Sequence, residues 1–260
     1  MRQKLLAHKR LFLFDLDGVF YKGKESRTKI GGTRAVEALR DRGKKLYVLT
    51  NNSTDSVETI HSRLSEFGVP FKKEEILTSA LLTAEHLRKK HGRVSYFLVG
   101  EAGLDSEMKK YGHQRVFGEK ADFVVVGLDR KITYDKLDKA ARLVRNGSGL
   151  VATHASRLYM HKAGPAMATG PIVKAIEYAS GKRATVIGKP SRPMFTIALA
   201  RAGCTKEQAV MVGDQVDTDI AGASRAGVDS ILVTSGIDRR AKGYRPLATI
   251  SNVDELARLL

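Results

Sequence analysis

The sequence lacks several features that would place a chain in a specialised class. It contains a single cysteine, Cys204, so no disulfide bond can form within the chain, which is typical of a reducing compartment. Tryptophan is absent, and no apolar run approaches the roughly 18 residues that a membrane-spanning helix needs. These absences argue against a disulfide scaffold and a membrane protein. We therefore expect a cytoplasmic protein with no membrane partner.

Acidic residues are scarce relative to basic ones. The 260 residues include 45 lysines and arginines but only 28 aspartates and glutamates, which gives a formal net charge of +17. Such a balance favours polyanionic partners, among them nucleic acids and phosphorylated substrates. The basic residues are spread in twos and threes, however, and no basic run interleaved with aromatic residues stands out. We therefore expect general attraction of anions, and a nucleic-acid-binding protein stays as the non-enzyme alternative.

Short apolar runs alternate with helical patterns along the chain. The run LFLF before Asp15 is followed by a helical pattern that ends at Gly43, and KLYVLT from Lys45 begins the next cycle. Near-continuous apolar strands that alternate with helices are typical of a parallel sheet flanked by helices. We count about nine such strands. Because that is many for one sheet, we predict two α/β units, one inserted into the other.

Polar residues follow several of the predicted strands. In an open α/β sheet, ligands bind outside the carboxyl ends of the strands. We therefore expect several carboxylates, a hydroxyl group and a lysine to converge at one sheet edge. The residues at these strand ends are Asp15 and Asp17, Thr50 and Asn51, Lys189, and Asp214 with Asp219.

Each of these residue types has a part in phosphoryl transfer. Carboxylates placed side by side repel one another, and Mg²⁺ relieves the repulsion because it prefers one or two carboxylates together with water and substrate phosphate. A carboxylate can attack phosphorus directly, and a second carboxyl group can protonate the leaving oxygen and then accept a proton from water. A lysine and a hydroxyl group can neutralise charge on the transferred oxygens. The pattern therefore favours Mg²⁺-assisted phosphoryl chemistry.

Two other kinds of acidic site fit the sequence less well. A calcium loop that starts at Asp15 would need glycine at its sixth position and glutamate at its twelfth, where this chain has Phe20 and Ser26. A receiver-type signalling domain also combines an acidic cluster with threonine and lysine. Its acid pair follows the first strand, however, and its phosphorylated aspartate ends a later one, within a much shorter chain.

Four stretches of the chain resemble, in order, the four motifs of the haloacid dehalogenase superfamily. They are DLDGVF, LTNNS, VIGKPS and GDQVDTDI. The resemblance covers nearly the whole chain and is closest to the NagD-like subgroup, which includes nitrophenylphosphatases. It implies that Asp15 is the nucleophile and that Asp17 is the general acid and base.

The same resemblance implies roles for the other residues at the strand ends. It implies that Asp15, the backbone carbonyl of Asp17, and Asp214 hold Mg²⁺. It further implies that the phosphoryl group is bound by Thr50, Asn51 and Lys189, and that Asp219 orients Lys189 or a metal-bound water.

The resemblance also implies a fold and a division into domains. A Rossmann-like core with a doubly wound parallel sheet would comprise residues 1–79 and 181–260, and an inserted α/β cap domain would comprise residues 80–180. Relatives commonly read A-T-N-x-D in the cap, where this chain has His154 in place of the asparagine and Ser156 in place of the acid. We take His154 and Ser156 as candidate contacts to the substrate.

Taken together, the motifs predict a Mg²⁺-dependent phosphatase that acts through a phospho-aspartate on Asp15. The partner would be a small phosphorylated metabolite, and sugar phosphates, phosphoglycolate, nucleotides and aryl phosphates are the candidate substrates. Caps of this subgroup often pair, so a homodimer is one expected assembly. A phosphotransferase or mutase of the same superfamily, which passes the phosphoryl group to a second substrate, is the alternative within enzymes.

Overall fold

The computed structural model describes residues 6–23, 28–161 and 164–260. Its larger sheet has six parallel strands in the order β13-β12-β11-β1-β2-β3. Elements are numbered along the chain, and the strands of this sheet are β1 (Leu11–Phe14), β2 (Lys45–Thr50), β3 (Ile76–Thr78), β11 (Ala209–Gly213), β12 (Asp229–Val233) and β13 (Ala248–Ile250).

A second parallel sheet has five strands in the order β10-β7-β6-β4-β5. Its strands are β4 (Ser95–Val99), β5 (Gln114–Arg115), β6 (Phe123–Val126), β7 (Gly149–Ala152) and β10 (Thr185–Val186). An antiparallel hairpin, β8 (Leu158–His161) with β9 (Gly164–Met167), follows β7 in the chain.

Eight α-helices within the described residues flank or connect these strands. They are α1 (Thr33–Asp41), α2 (Val57–Glu66), α3 (Ser79–His91), α4 (Ala102–Lys110), α5 (Tyr134–Arg145), α6 (Thr169–Ser180), α7 (Arg192–Ala202) and α8 (Ala221–Ala226). None of these helices combines the length and apolar character that crossing a bilayer requires.

Strand β1 lies in the interior of the six-stranded sheet and is buried on both faces. Because side chains alternate along a strand, Phe12 and Phe14 pack into one apolar cluster, whereas Leu11 and Leu13 pack into the cluster on the opposite face. The second cluster continues into the five-stranded sheet, where it includes Leu98. The two sheets therefore share part of one apolar core.

The predicted fold class, a parallel α/β core with an inserted α/β unit, is confirmed, and the helix predicted at Tyr134 to Arg145 has those bounds. The placement of the strand before Lys189 in the core sheet is wrong. Thr185 and Val186 pair with Val151 and Ala152, so β10 is an edge strand of the five-stranded sheet. The division of the chain into domains at residues 79/80 and 180/181 stays a prediction. Because β10 pairs with β7, the chain returns to the six-stranded sheet only after β10.

We predict that Leu13→Ala lowers the free energy of unfolding by about 2–5 kcal/mol, because it leaves a cavity in the core that the two sheets share. Urea denaturation measures the change. The matched control is Tyr178→Ala on α6, whose side chain is 94% exposed, and it should change stability by no more than about 0.5 kcal/mol. Equal effects of the two substitutions would contradict this account of the core.

Candidate active site

Asp15 and Asp214 follow two neighbouring strands and meet at the carboxyl edge of the six-stranded sheet. Strands β1 and β11 are parallel with Phe14 opposite Val212, and the backbone N–H of Asp15 donates to the Val212 carbonyl at 2.9 Å. One carboxylate oxygen from each of Asp15, Asp214 and Asp219 lies within 4.8 Å of the others, and all three residues are buried. The structure therefore brings these predicted carboxylates together.

Lys189 lies between two of these carboxylates. Its Nζ donates to Asp15 Oδ1 at 2.6 Å and lies 2.7 Å from Asp219 Oδ1. Burial opposes the charge on this lysine, but the carboxylates of Asp15 and Asp219 outweigh burial and raise the pKa of Lys189. The ammonium group is therefore charged and is held against the predicted nucleophile.

Asp219 comes from a single π-helical turn, Val216–Ile220, that follows β11 and leads into α8. Turns of this kind are frequent at functional sites. The second oxygen of Asp219, Oδ2, accepts a hydrogen bond from the backbone N–H of Gln215 at 3.0 Å. Both oxygens of this carboxylate are thus engaged within the protein, which leaves Asp15 and Asp214 better placed to bind an added cation.

The three carboxylates outnumber the one ammonium group among them, and their pKa values reflect this. Burial raises the pKa of Asp15, although Lys189 counteracts the effect. Burial, followed by the negative charges of Asp15 and Asp219, raises the pKa of Asp214 well above its usual range. Burial also raises the pKa of Asp219 to about 6. A bound cation would relieve this excess of negative charge.

Asp214 offers an oxygen to such a cation. Its Oδ2 accepts from the backbone N–H of Ile237 at 2.8 Å, whereas its Oδ1 is buried without a hydrogen-bond partner among the described residues. The backbone packs tightly against this carboxylate, since a Cβ on Gly18 or Gly236 would overlap Asp214 Oδ2. A buried, unsatisfied carboxylate oxygen close to a second carboxylate fits a hard divalent cation such as Mg²⁺.

Thr50 and Asn51 come from the end of β2, next to β1. The Thr50 Oγ1 accepts from the backbone N–H of Asn52 at 3.1 Å, and helix α2 is capped by Ser56, so Thr50 is not a helix cap. The Asn51 side chain binds the backbone of Lys189 on both sides, donating to its carbonyl and accepting from its N–H, each at 2.9 Å. Its observed contacts therefore hold Lys189 in place.

A cavity of about 840 Å³ opens over these residues. All of the predicted site residues line it except Asp219, which is fully buried behind Lys189. Asp17 is partly exposed in its wall, and the candidate contacts His154 and Ser156 also reach it. A cavity of this volume accommodates a small organic molecule.

The loop after β12 belongs to the site and was missed in the sequence. Ile237 donates to Asp214, Ser235 Oγ donates to the Gly18 carbonyl at 2.7 Å, and Asp238 Oδ2 accepts from the Val216 N–H at 2.8 Å. The rule that ligands bind at strand ends, applied to SILVTSG, could have found this loop. Its backbone contacts leave no residue signature of their own.

The rim of the cavity carries several cationic or titratable side chains that the sequence did not single out as site residues. Arg130 pairs with Glu101, with Nε 2.8 Å from Oε1. No further carboxylate lines the cavity beyond Asp15, Asp17 and Asp214, among the residues that the structure describes. The cationic side chains are Lys22, Arg130 and Arg239, and the lining also includes the aromatic side chains of Tyr159 and His161.

His154 is buried, and the structure keeps it uncharged. Burial, and then the positive charge of Lys189, lower the pKa of His154 to about 4. Its Nδ1 accepts from the backbone N–H of Ser156 at 3.3 Å, and its Nε2 lies 2.9 Å from Thr169 Oγ1. Both ring nitrogens thus have partners inside the protein.

Comparisons with known proteins converge on one family. A family model described as haloacid dehalogenase-like hydrolase matches residues 12–114, and a second, HAD-hydrolase-like model matches residues 186–256. The chain is 34% identical to an acid sugar phosphatase of Staphylococcus epidermidis over 89% of each chain. It is 31% identical to a 5'-nucleotidase of Bacillus subtilis over 88% of each chain. The crystal structure of a 4-nitrophenylphosphatase from Thermotoga maritima, 34% identical, covers 98% of each chain with a TM-score of 0.90.

We predict that acid destabilises the wild type more than a His154→Asn variant. Between the ordinary histidine pKa near 6.5 and the folded value of about 4, the unfolded chain binds a proton that the folded protein does not. The stability that His154 contributes is therefore present above pH 6.5 and is lost as the pH falls toward 4, by up to about 3 kcal/mol.

The measurement is the free energy of unfolding of both proteins by urea at a series of pH values from 7.5 to 4.5. The His154→Asn substitution removes the titrating group but keeps a polar side chain, so other groups contribute equally to both profiles. Parallel profiles would contradict the prediction.

Proposed function

The chain belongs to the haloacid dehalogenase-like hydrolases and is a phosphatase of the NagD-like group, and from this premise we propose that it hydrolyses small phosphomonoesters through a phospho-aspartate on Asp15 with the aid of Mg²⁺. The observation that carries this proposal is the position of Lys189. Its ammonium group binds Asp15 directly, beside the unsatisfied oxygen of Asp214. A nucleophile, a fixed positive charge and a cation ligand thus occupy one sheet edge.

The proposed reaction uses each residue in turn. A carboxylate oxygen of Asp15 attacks phosphorus and forms the acyl phosphate as the bond to the leaving oxygen breaks. The carboxyl group of Asp17 gives its proton to that leaving oxygen, then accepts a proton from the water that attacks the phospho-aspartate and releases inorganic phosphate. Lys189 and the Thr50 hydroxyl stabilise the charge on the transferred oxygens.

A divalent cation would be held by Asp15, Asp214 and the backbone carbonyl of Asp17, where it would neutralise the carboxylates and the substrate phosphate. We assign Asp219 to orienting Lys189, in keeping with their 2.7 Å ion pair. The side chain of Asn51 contacts the backbone of Lys189 on both sides, so we propose that it supports phosphoryl binding by positioning that lysine.

The proposed substrates are small and anionic. The cavity is much larger than a phosphate group needs, so it leaves room for a leaving group. Lys22, Arg130 and Arg239 at its rim attract negative charge, in line with the net charge of +17. Sugar phosphates, phosphoglycolate, nucleotides and aryl phosphates meet these conditions, and the similar proteins are named as sugar, nucleotide and nitrophenyl phosphatases.

Other parts of the proposal rest on the sequence and the family. We propose a cytoplasmic location on the strength of the single cysteine, and a homodimer formed through the caps by likeness to the subgroup. A phosphotransferase or mutase remains the alternative reaction, since it would use the same phospho-aspartate with an acceptor other than water.

We predict that the protein releases p-nitrophenol and phosphate from p-nitrophenyl phosphate only when Mg²⁺ is present. Asp15→Asn should lower the rate by about 10⁴-fold or more, because it removes the nucleophile. The matched control is Asp217→Asn, which makes the same change at an exposed position in the same π-helical turn and should leave the rate unchanged. Activity that survives in Asp15→Asn, or that resists chelation of Mg²⁺, would contradict the proposal.

The same assay separates hydrolysis from transfer. Hydrolysis releases one phosphate for each p-nitrophenol in buffer alone. A transferase would release less than one phosphate for each p-nitrophenol, because the phosphoryl group passes to an acceptor. Adding a phosphoryl acceptor would increase its rate. Retention of DNA or RNA that is strongly salt-dependent and unaffected by Asp15→Asn would instead favour the nucleic-acid alternative.

A further inference from the structure

The position of Lys189 depends on a side chain from the neighbouring strand. The Asn51 amide bonds both the N–H and the carbonyl of Lys189, so its orientation is fixed with Nδ2 as the donor and Oδ1 as the acceptor. One hydrogen of Nδ2 points to the Lys189 carbonyl. The other is available to a second acceptor.

That second acceptor comes from the loop after β7 in the other sheet. Asn51 Nδ2 donates to Ser156 Oγ at 3.3 Å. The loop that carries Ser156 is itself held at the beginning of α6, where the Gly170 N–H donates to the Ser156 carbonyl at 2.8 Å. The hydroxyl group of Ser156 thus links the five-stranded sheet to the residue that holds the active-site lysine.

The imidazole ring of His154 holds the backbone of Ser156 through a hydrogen bond. Because Nδ1 accepts from the Ser156 N–H, the ring proton lies on Nε2 and is donated to Thr169 Oγ1. Thr169 is fully buried and is the first residue of α6. Both ring nitrogens are therefore engaged within the protein, and the substrate contact expected from the sequence stays a prediction for a side chain that also lines the cavity.

We propose that His154 is a positioning residue, which holds Ser156 against Asn51 so that Lys189 stays on Asp15. The proposal rests on the proposed phosphatase function, which gives Lys189 its task. The connection runs from Thr169 through His154, Ser156 and Asn51 to Lys189, with every link within 3.3 Å. It ties the catalytic lysine to the cap side of the cavity.

The test compares kcat and KM of wild type, Ser156→Ala, His154→Ala, His154→Asn and the double variant His154→Ala with Ser156→Ala. Ser156→Ala removes the acceptor for Asn51, and His154→Ala removes both the acceptor for the Ser156 N–H and the donor to Thr169, so kcat should fall by roughly threefold to tenfold in each. His154→Asn should recover most of the activity, since an asparagine oxygen accepts from the N–H two residues on. His61→Ala on α2, which does not line the cavity, is the control for a histidine-to-alanine change.

Non-additivity is the decisive result. If His154 acts only through Ser156, the double variant should lose no more than the worse of the two single variants. The loss should also be the same for p-nitrophenyl phosphate and for a sugar phosphate, because the connection acts on the phosphoryl side of the site. The proposal would be overturned if the losses of activity in the single variants multiply in the double variant, or if the variants lose no activity. It would also be overturned if the substitutions change only KM, and only for one of the two substrates.

A measurement that does not depend on catalysis tests the positioning role of His154 separately from the proposed function. In the wild type at pH 7, ¹⁵N NMR should show His154 as a neutral ring protonated on Nε2. A ring protonated on Nδ1, or on both nitrogens, would overturn the role of His154 whatever the activity. If the wild type shows no Asp15-dependent hydrolysis, the proposed function fails, whereas an active wild type with multiplicative variants overturns the positioning role alone.

Discussion

The burial of the Lys189 ammonium group is the constraint on which the rest of this site depends. Removing an ion from water costs several kcal/mol even in a real protein interior, so a buried lysine must be closely paired. Lys189 meets this need with two carboxylates, Asp15 and Asp219, both within 2.7 Å. The end of β1, the π-helical turn after β11 and the loop after β10 must therefore meet at one point. This requirement fixes the geometry of the proposed chemistry.

The two sheets form one functional unit because Lys189 follows a strand of the five-stranded sheet but binds Asp15, which follows a strand of the six-stranded sheet. Strand β10 is the edge of the five-stranded sheet, and its pattern of bonds continues past Val186, since Gly188 N–H donates to the Thr153 carbonyl. One residue later, Lys189 points at Asp15 in the other sheet. The backbone passes so close to Asn51 at Gly188 that a Cβ there would lie 2.5 Å from Asn51 Oδ1. The inserted unit thus helps to build the site as well as to cover it.

The sequence located the site because a charged residue follows a buried apolar strand, where charges are rarely found without a partner. Asp15 stands directly after a buried apolar strand, so its charge demanded partners, and the partners were found at other strand ends. The strand before Lys189 was misplaced because a two-residue edge strand has no periodicity that assigns it to a sheet. The loop at Ser235 to Asp238 was missed because its bond to Asp214 comes from the backbone N–H of Ile237, which any residue other than proline could supply. The clamp on Lys189 by Asn51 depends on a contact between segments 138 residues apart, which local patterns do not encode.

The neutral side chains His154 and Ser156, in the loop after β7, fit the same electrostatics. Asp15 and Asp219 already bind Lys189, and their negative charges add to the effect of burial in raising the pKa of Asp214. A further carboxylate at position 156 would add to that negative charge, whereas the Ser156 hydroxyl accepts a hydrogen bond from Asn51 without charge. A buried histidine is compatible with this loop because burial and the charge of Lys189 keep it neutral. His154 and Ser156 therefore add no charge at this point, and the attraction of anions is left to Lys189 and to the cationic side chains that line the cavity.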